Sequence, residues 1–229
     1  MIKKVSLLIL SFPILYSLDA QNSSAFLKGG LNLANISYNE NGNIDDANML
    51  VSFHAGIQGD FPIASFLSVQ PGFFVTGKGS KTQLGNTSDA NYYRATTNPI
   101  YLEVPVNLVF KAALEKDLKF FVGAGPYGAV GIAGKRKAEG KIFGTAFSSN
   151  DNIEFSNDDP TTSGEEGAGF GILKRFDYGV NTTAGLEGKQ MMFSVNYGFG
   201  LAKLQSGSNS NTDEQNKHRV LSFTVGFRL

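Results

Sequence analysis

The 229-residue chain has no cysteine and no tryptophan, and its 20 basic side chains are matched by 20 acidic ones. Without cysteine there is neither a disulfide framework nor a thiolate metal site to consider. Without a basic excess there is no electrostatic footprint for nucleic acid, and no nucleic-acid partner is expected. Long apolar runs are missing too, once the N-terminus is passed. No later stretch approaches the ~18 consecutive apolar residues of a membrane helix. A chain of this kind can cross a membrane only as a closed barrel, in which every backbone polar group pairs strand to strand.

Glycine, phenylalanine and tyrosine are plentiful. The 27 glycines exceed the roughly 16 that average usage would give, and 19 Phe and 8 Tyr accompany them. Glycine with aromatics points to sheet, turns and an interface. At the N-terminus, Lys3 and Lys4 precede an apolar stretch from Val5 to Tyr16, and Leu18-Asp-Ala20 offers a cleavage end. Residues 1–20 are therefore expected to be a signal peptide, and residues 21–229 a single exported domain. With no cysteine at the junction, a lipoprotein signal is excluded.

Eight segments alternate with the two-residue period of a strand: 26–36, 49–60, 64–75, 98–110, 118–132, 174–186, 191–201 and 219–229. One face of each is apolar, as in Ile100, Leu102, Val104, Val106, Leu108 and Phe110, or Leu221, Phe223, Val225, Phe227 and Leu229. The other face is small or polar, as in Ser52, His54, Gly56, Gln58 and Asp60. A soluble sandwich would carry many long charged side chains on its polar face. Gly, Ser, Asn and Thr instead suit the narrow interior of an eight-stranded barrel, with the apolar face turned to lipid. Each segment also reaches the ~9–11 residues that a tilted spanning strand needs. The expected fold class is all-β, an eight-stranded antiparallel up-and-down transmembrane β-barrel. Pro71 cannot donate to a ladder and predicts a bulge or local break.

The connections alternate in length. Turns at 61–63, 111–117 and 187–190 are short; stretches 37–48, 77–97, 133–173 and 202–218 are long and rich in Asn, Asp, Ser, Gly and Thr. Short turns on the periplasmic side and long loops outside are expected of such a barrel. The longest loop either holds a short hairpin around 141–147 and 153–155 or is disordered.

Several short motifs carry a resemblance. Lys28-Gly-Gly-Leu-Asn-Leu-Ala-Asn-Ile36, Glu103-Val-Pro-Val-Asn107, Phe120-Phe-Val-Gly-Ala-Gly-Pro-Tyr127, and the run from Tyr178 to Glu187 followed by Tyr197-Gly198 occur in that order. In that order they resemble the porin-family outer-membrane β-barrel domain common in Bacteroidetes. The resemblance covers residues 21–229 and implies an OmpA- or OmpX-like barrel in the bacterial outer membrane. It implies contact with outer-membrane lipid, lipopolysaccharide and the insertion machinery, and it implies no reaction. The chain departs from the usual aromatic terminus of such barrels by ending on Leu229.

Gly123-Ala-Gly-Pro-Tyr-Gly128 fits a dinucleotide fingerprint, but that reading requires a helix to begin there, and the following residues continue as strand. The acidic pairs Asp45-Asp46, Asp158-Asp159 and Glu165-Glu166 lack calcium-loop spacing and read as solvated loops. No cofactor, no metal site and no catalytic residue is expected. Lys28, His54, Asp60, Glu103, Asp177 and Arg228 are expected to point inward as a structural network, since a charge inside a barrel must be paired or hydrated. Lys28 or Arg228 is expected to pair with Glu103 or Asp177, and His218 to lie in the last loop. The leading functional expectation is a structural or surface-interaction role, with the long loops 37–48, 77–97, 133–173 and 202–218 meeting an unidentified extracellular partner. A narrow channel for ions or small solutes is the alternative, and an outer-membrane enzyme a more distant one.

Overall fold

The computed structural model describes residues 23–36, 49–156, 172–204 and 217–229. The expected signal peptide, the loop 37–48 and the three acidic pairs lie outside those residues. Among the described residues all regular structure is strand. The order is β1 (Ser24–Ile36), β2 (Leu50–Ala64), β3 (Leu67–Gly77), β4 (Ser80–Leu84), β5 (Tyr92–Glu115), β6 (Leu118–Ile142), β7 (Thr145–Asn152), β8 (Glu154–Phe155), β9 (Ile172–Leu173), β10 (Phe176–Glu187), β11 (Met191–Gly200) and β12 (His218–Arg228).

The pairing is antiparallel throughout the main sheet, whose order is β4-β5-β3-β2-β1-β12-β11-β10-β6-β7 with a further pairing of β5 to β6. The first and last long strands are partners, with Leu27 opposite Phe227 and Leu33 opposite Leu221. Alternation places the two faces as the sequence suggests. Leu31, Val51, Ile57, Phe73, Val104, Phe193 and Phe223 are exposed, while Asn32, Ser52, His54, Gln58, Gln70, Thr183 and Thr224 are buried. This inverts the usual burial rule: the polar face forms the interior, and the exterior is a continuous apolar surface. Two small apolar clusters interrupt the polar interior. Phe26, Val109, Phe121 and Met192 sit toward the short-turn end. Tyr101, Tyr127 and Ala129, with Phe155 against them, sit toward the other.

Glycine is required where this curved wall closes up. A Cβ on Gly30 would lie 1.9 Å from the Phe223 carbonyl oxygen, and one on Gly125 1.9 Å from that of Val106. Gly125 is mid-strand in β6, so no helix starts at the glycine-rich motif.

Four expectations are corrected. β2 runs on through residues 61–63 to Ala64, and the turn falls at Ser65 and Phe66. The irregularity foreseen at Pro71 takes the milder form: the ladder to β2 lapses between Gln58↔Gly72 and Phe61↔Val69 without a change of register, and the shift lies at Pro62/Ala64. Stretch 77–97 contains β4 and the outer part of β5, and β6 runs ten residues past its expected end at Ile132, to Ile142. The hairpin in the longest connection turns at Phe143-Gly144, both at positive φ, so residues 141–147 are its tip and not one strand. Two consecutive positive-φ residues are what a tight two-residue hairpin turn demands. These outer strands lack apolar alternation because neither face meets lipid or a core. Their backbones pair because the ladders beneath them continue upward.

Candidate functional site

The interior side chains assemble in three layers. Nearest the short turns, Lys111 Nζ lies 2.6 Å from Asp60 and 2.6 Å from Glu187, and Arg228 donates to the other Glu187 oxygen at 2.6 Å. Gln70 adds a hydrogen bond to Asp60 at 3.0 Å. Asp60 and Gln70 come from β2 and β3, Lys111 from β5, Glu187 from β10 and Arg228 from β12, so the set crosses the whole interior. The cluster of Phe26, Val109, Phe121 and Met192 lies toward this same end.

The middle layer is neutral. Asn32 is its hub: its amide donates to the Phe53 carbonyl at 3.1 Å, Thr76 at 2.9 Å and the Gly77 carbonyl at 3.0 Å. Its carbonyl oxygen accepts from Ser222 at 2.8 Å and from His54 Nδ1 at 2.7 Å. With Nδ1 donating, His54 Nε2 is left to accept from Thr224 at 2.9 Å. Asn196 reaches the same Thr224 hydroxyl at 2.7 Å.

The third layer lies toward the long connections. Lys78 Nζ is 2.5 Å from Glu103 and 2.9 Å from Asp177, with its ammonium 3.9 Å from the Tyr127 ring centroid. Tyr127 donates to Asp177 at 3.1 Å, and Asn181 donates to Glu103 at 3.0 Å. His218 caps this layer edge-on to Tyr101, with ring centroids 5.5 Å apart. Between the two charged layers lies a polar cavity of about 80 Å³, lined among others by Lys28, His54, Glu103, Asn107, Asn196 and Thr224.

Of the six residues expected inside, Lys28, His54, Asp60 and Asp177 are buried and the Glu103 side chain nearly so. Arg228 sits at the rim with one third of its side chain exposed. The expected partners are corrected. Lys28 hydrogen-bonds to Gln58, Arg228 binds Glu187, and the cation that serves Glu103 and Asp177 is Lys78. Lys78 falls in Gly77-Lys-Gly-Ser80, where flanking glycines read as loop. Its backbone is nonetheless held to β5 by a hydrogen bond to the Pro99 carbonyl at 3.0 Å, which aims the side chain inward. Lys111 and Glu187 were assigned to short turns, but β5 and β10 extend far enough to carry both. His218 is not a loop residue; it opens β12 and is buried.

Comparisons with known proteins agree with this architecture. The chain is similar to the attachment invasion locus protein Ail of Yersinia pestis, solved with the heparin analogue sucrose octasulfate. Identity is 15%, covering 90% of this chain and 99% of that one, with a TM-score of 0.41. It is also similar to Neisserial surface protein A at 9% identity, covering 90% of this chain and 97% of that one, with a TM-score of 0.42. A search of curated proteins finds no match. The model of the outer membrane protein beta-barrel domain matches residues 19–206. The chain belongs to this family of outer-membrane β-barrel proteins.

Proposed function

We propose that the chain is exported by a cleaved signal peptide at residues 1–20, and that residues 21–229 close as an eight-stranded transmembrane barrel whose interior is a seal and whose work is done by its outer segments. The ring would be β5-β3-β2-β1-β12-β11-β10-β6, supported by the pairing of β5 with both β3 and β6. The order of the strand motifs supports an OmpA- or OmpX-like barrel of the Bacteroidetes type.

The observation that carries the functional reading is the pair of charged layers bounding a small cavity. Lys78 between Glu103 and Asp177, and Lys111 between Asp60 and Glu187, leave only about 80 Å³ between them. That volume suits a handful of water molecules; a continuous aqueous path would need both layers to part. Above this seal the sheet carries on as β4, the outer halves of β5 and β6, and β7, and ends at two edges, β4 and β7, that pair on one side only. These segments, with the loops at 37–48, 157–171 and 205–216, offer the surface for an extracellular partner. Outer-membrane lipid, lipopolysaccharide and the insertion machinery are the partners that the location itself entails.

Planar-bilayer recording of the refolded, purified protein tests the reading. No unitary steps above the lipid background are expected; reproducible ohmic steps would give the role to the channel alternative.

A further inference from the structure

The lipid-facing side of the barrel does not end at the last apolar residue. Along β5 the outward positions run Phe110, Leu108, Val106, Val104, Leu102 and Ile100, then continue as Asn98, Thr96, Arg94 and Tyr92. On β6 the outward residues up to Ile132 are even-numbered. Ile100 is paired with Ala133 but Tyr101 with Gly131, so Ile132 is an extra residue and both Ile132 and Ala133 are exposed. A single inserted residue turns the rest of its strand over. Beyond it the odd-numbered residues share the outer face. Lys135 stands opposite Asn98, Lys137 opposite Thr96 and Glu139 opposite Arg94. On the other side of β5, Lys81 is also opposite Thr96. Side chains of directly opposed residues lie on the same face, so Lys81 and Lys137 flank Thr96 in one row with Lys135 just below. The one carboxylate on this surface, Glu139, is taken by Arg94 at 3.7 Å. Among the described residues none of the three lysines has an ion-pair partner.

Their height follows from strand geometry. Counted from the Ile100–Ala133 row, Lys135 is two residues up and Lys137, with Lys81, four. At ~3.3 Å per residue and a tilt near 45°, that is about 5 and 9 Å above the last apolar row. The polar zone of a bilayer is roughly 5–8 Å deep on each side. We propose that Lys81, Lys135 and Lys137 form a docking surface for the phosphorylated headgroups of the lipid surrounding the barrel, aimed there by the bulge at Ile132. This rests on the membrane-spanning reading above and adds to it a specific lipid contact. Two observations favour lipid over a soluble anion. The patch continues the lipid-facing surface without a break, and its height matches the headgroup layer.

The test uses the full mature chain refolded into phosphatidylcholine vesicles containing a minor fraction of phosphatidylglycerol. Electron paramagnetic resonance reports the association of spin-labelled phosphatidylglycerol relative to spin-labelled phosphatidylcholine. At least about a threefold preference for the anionic lipid is expected, weakened by salt. It should fall to near unity in the Lys81→Gln/Lys135→Gln/Lys137→Gln variant and persist in the corresponding triple arginine variant. An unchanged preference in the glutamine variant, or none in the parent protein, overturns the proposal. Loss of the preference on adding inorganic phosphate at matched concentration overturns it in favour of a soluble-anion site. If the protein washes off the vesicles with alkaline carbonate, the membrane reading itself fails. Retention without lipid preference removes only the lysine patch.

Discussion

Lys78 gives the sharpest test of the interior. Its ammonium is the direct cation for two carboxylates, Glu103 at 2.5 Å and Asp177 at 2.9 Å, and all three side chains are at least nearly buried. Lys78→Met keeps the length of the side chain and removes the charge, leaving two carboxylates facing each other with only Tyr127 and Asn181 as donors. Removing one member of a buried ion pair costs about 3–5 kcal/mol, because the survivor keeps its desolvation penalty without its partner. Unfolding in urea of the barrel refolded in detergent, followed by far-ultraviolet circular dichroism because the chain has no tryptophan, would read the change. With an m value of about 2–3 kcal/mol per M, the midpoint should drop by roughly 1–2.5 M. The triple variant Lys78→Met/Glu103→Gln/Asp177→Asn should recover most of that loss, since no charge is then left to solvate. Equal loss in the single and triple variants would show that packing, and not charge, holds this layer. A single variant within ~0.5 kcal/mol of the parent, the range of an ordinary surface change, would refute the layer altogether.

Three further substitutions probe other parts of the architecture. Lys28→Met should cost under about 1 kcal/mol or stabilise, because the only hydrogen bond to this buried ammonium among the described residues is from the neutral Gln58; the same urea titration decides. Gly125→Ala should destabilise by about 1–3 kcal/mol or lower refolding yield, as its new methyl would meet the Val106 carbonyl at 1.9 Å. Gly128→Ala, with nothing within 4 Å, should be close to neutral, so equal effects of the two would contradict the packing. Phe223→Arg, on the exposed face of β12, should cost about 2–4 kcal/mol in lipid vesicles if it sits near mid-membrane. A neutral result there would mean that this face meets water.

The strands and their faces were readable in the sequence because membrane and interior impose opposite chemistry on alternate residues. Once Leu31 faces out, Asn32 must face in. Pairing across the interior was not readable, because it depends on which strands face one another and at what stagger. Lys78 reaches Asp177 across 99 positions of chain, and nothing local marks either for the other. The seal was also partly hidden by glycine, which reads as loop at Gly77 and Gly79 yet here lets the chain press against β5. Outside the membrane the signal vanished for a different reason. Residues 92–97 and 135–142 have water on both sides, so no apolar period marks them, and the bulge at Ile132 leaves no trace in composition.

The charges inside the wall come to an even balance: Lys28, Lys78, Lys111 and Arg228 against Asp60, Glu103, Asp177 and Glu187 among the described residues. A cylinder that carries as many cations as anions can be pushed into hydrocarbon as an electrically neutral parcel, so a voltage across the bilayer exerts no net pull on it. The same parity means that a stray sodium or chloride arriving at the mouth would meet no overall bias of either sign to draw it in.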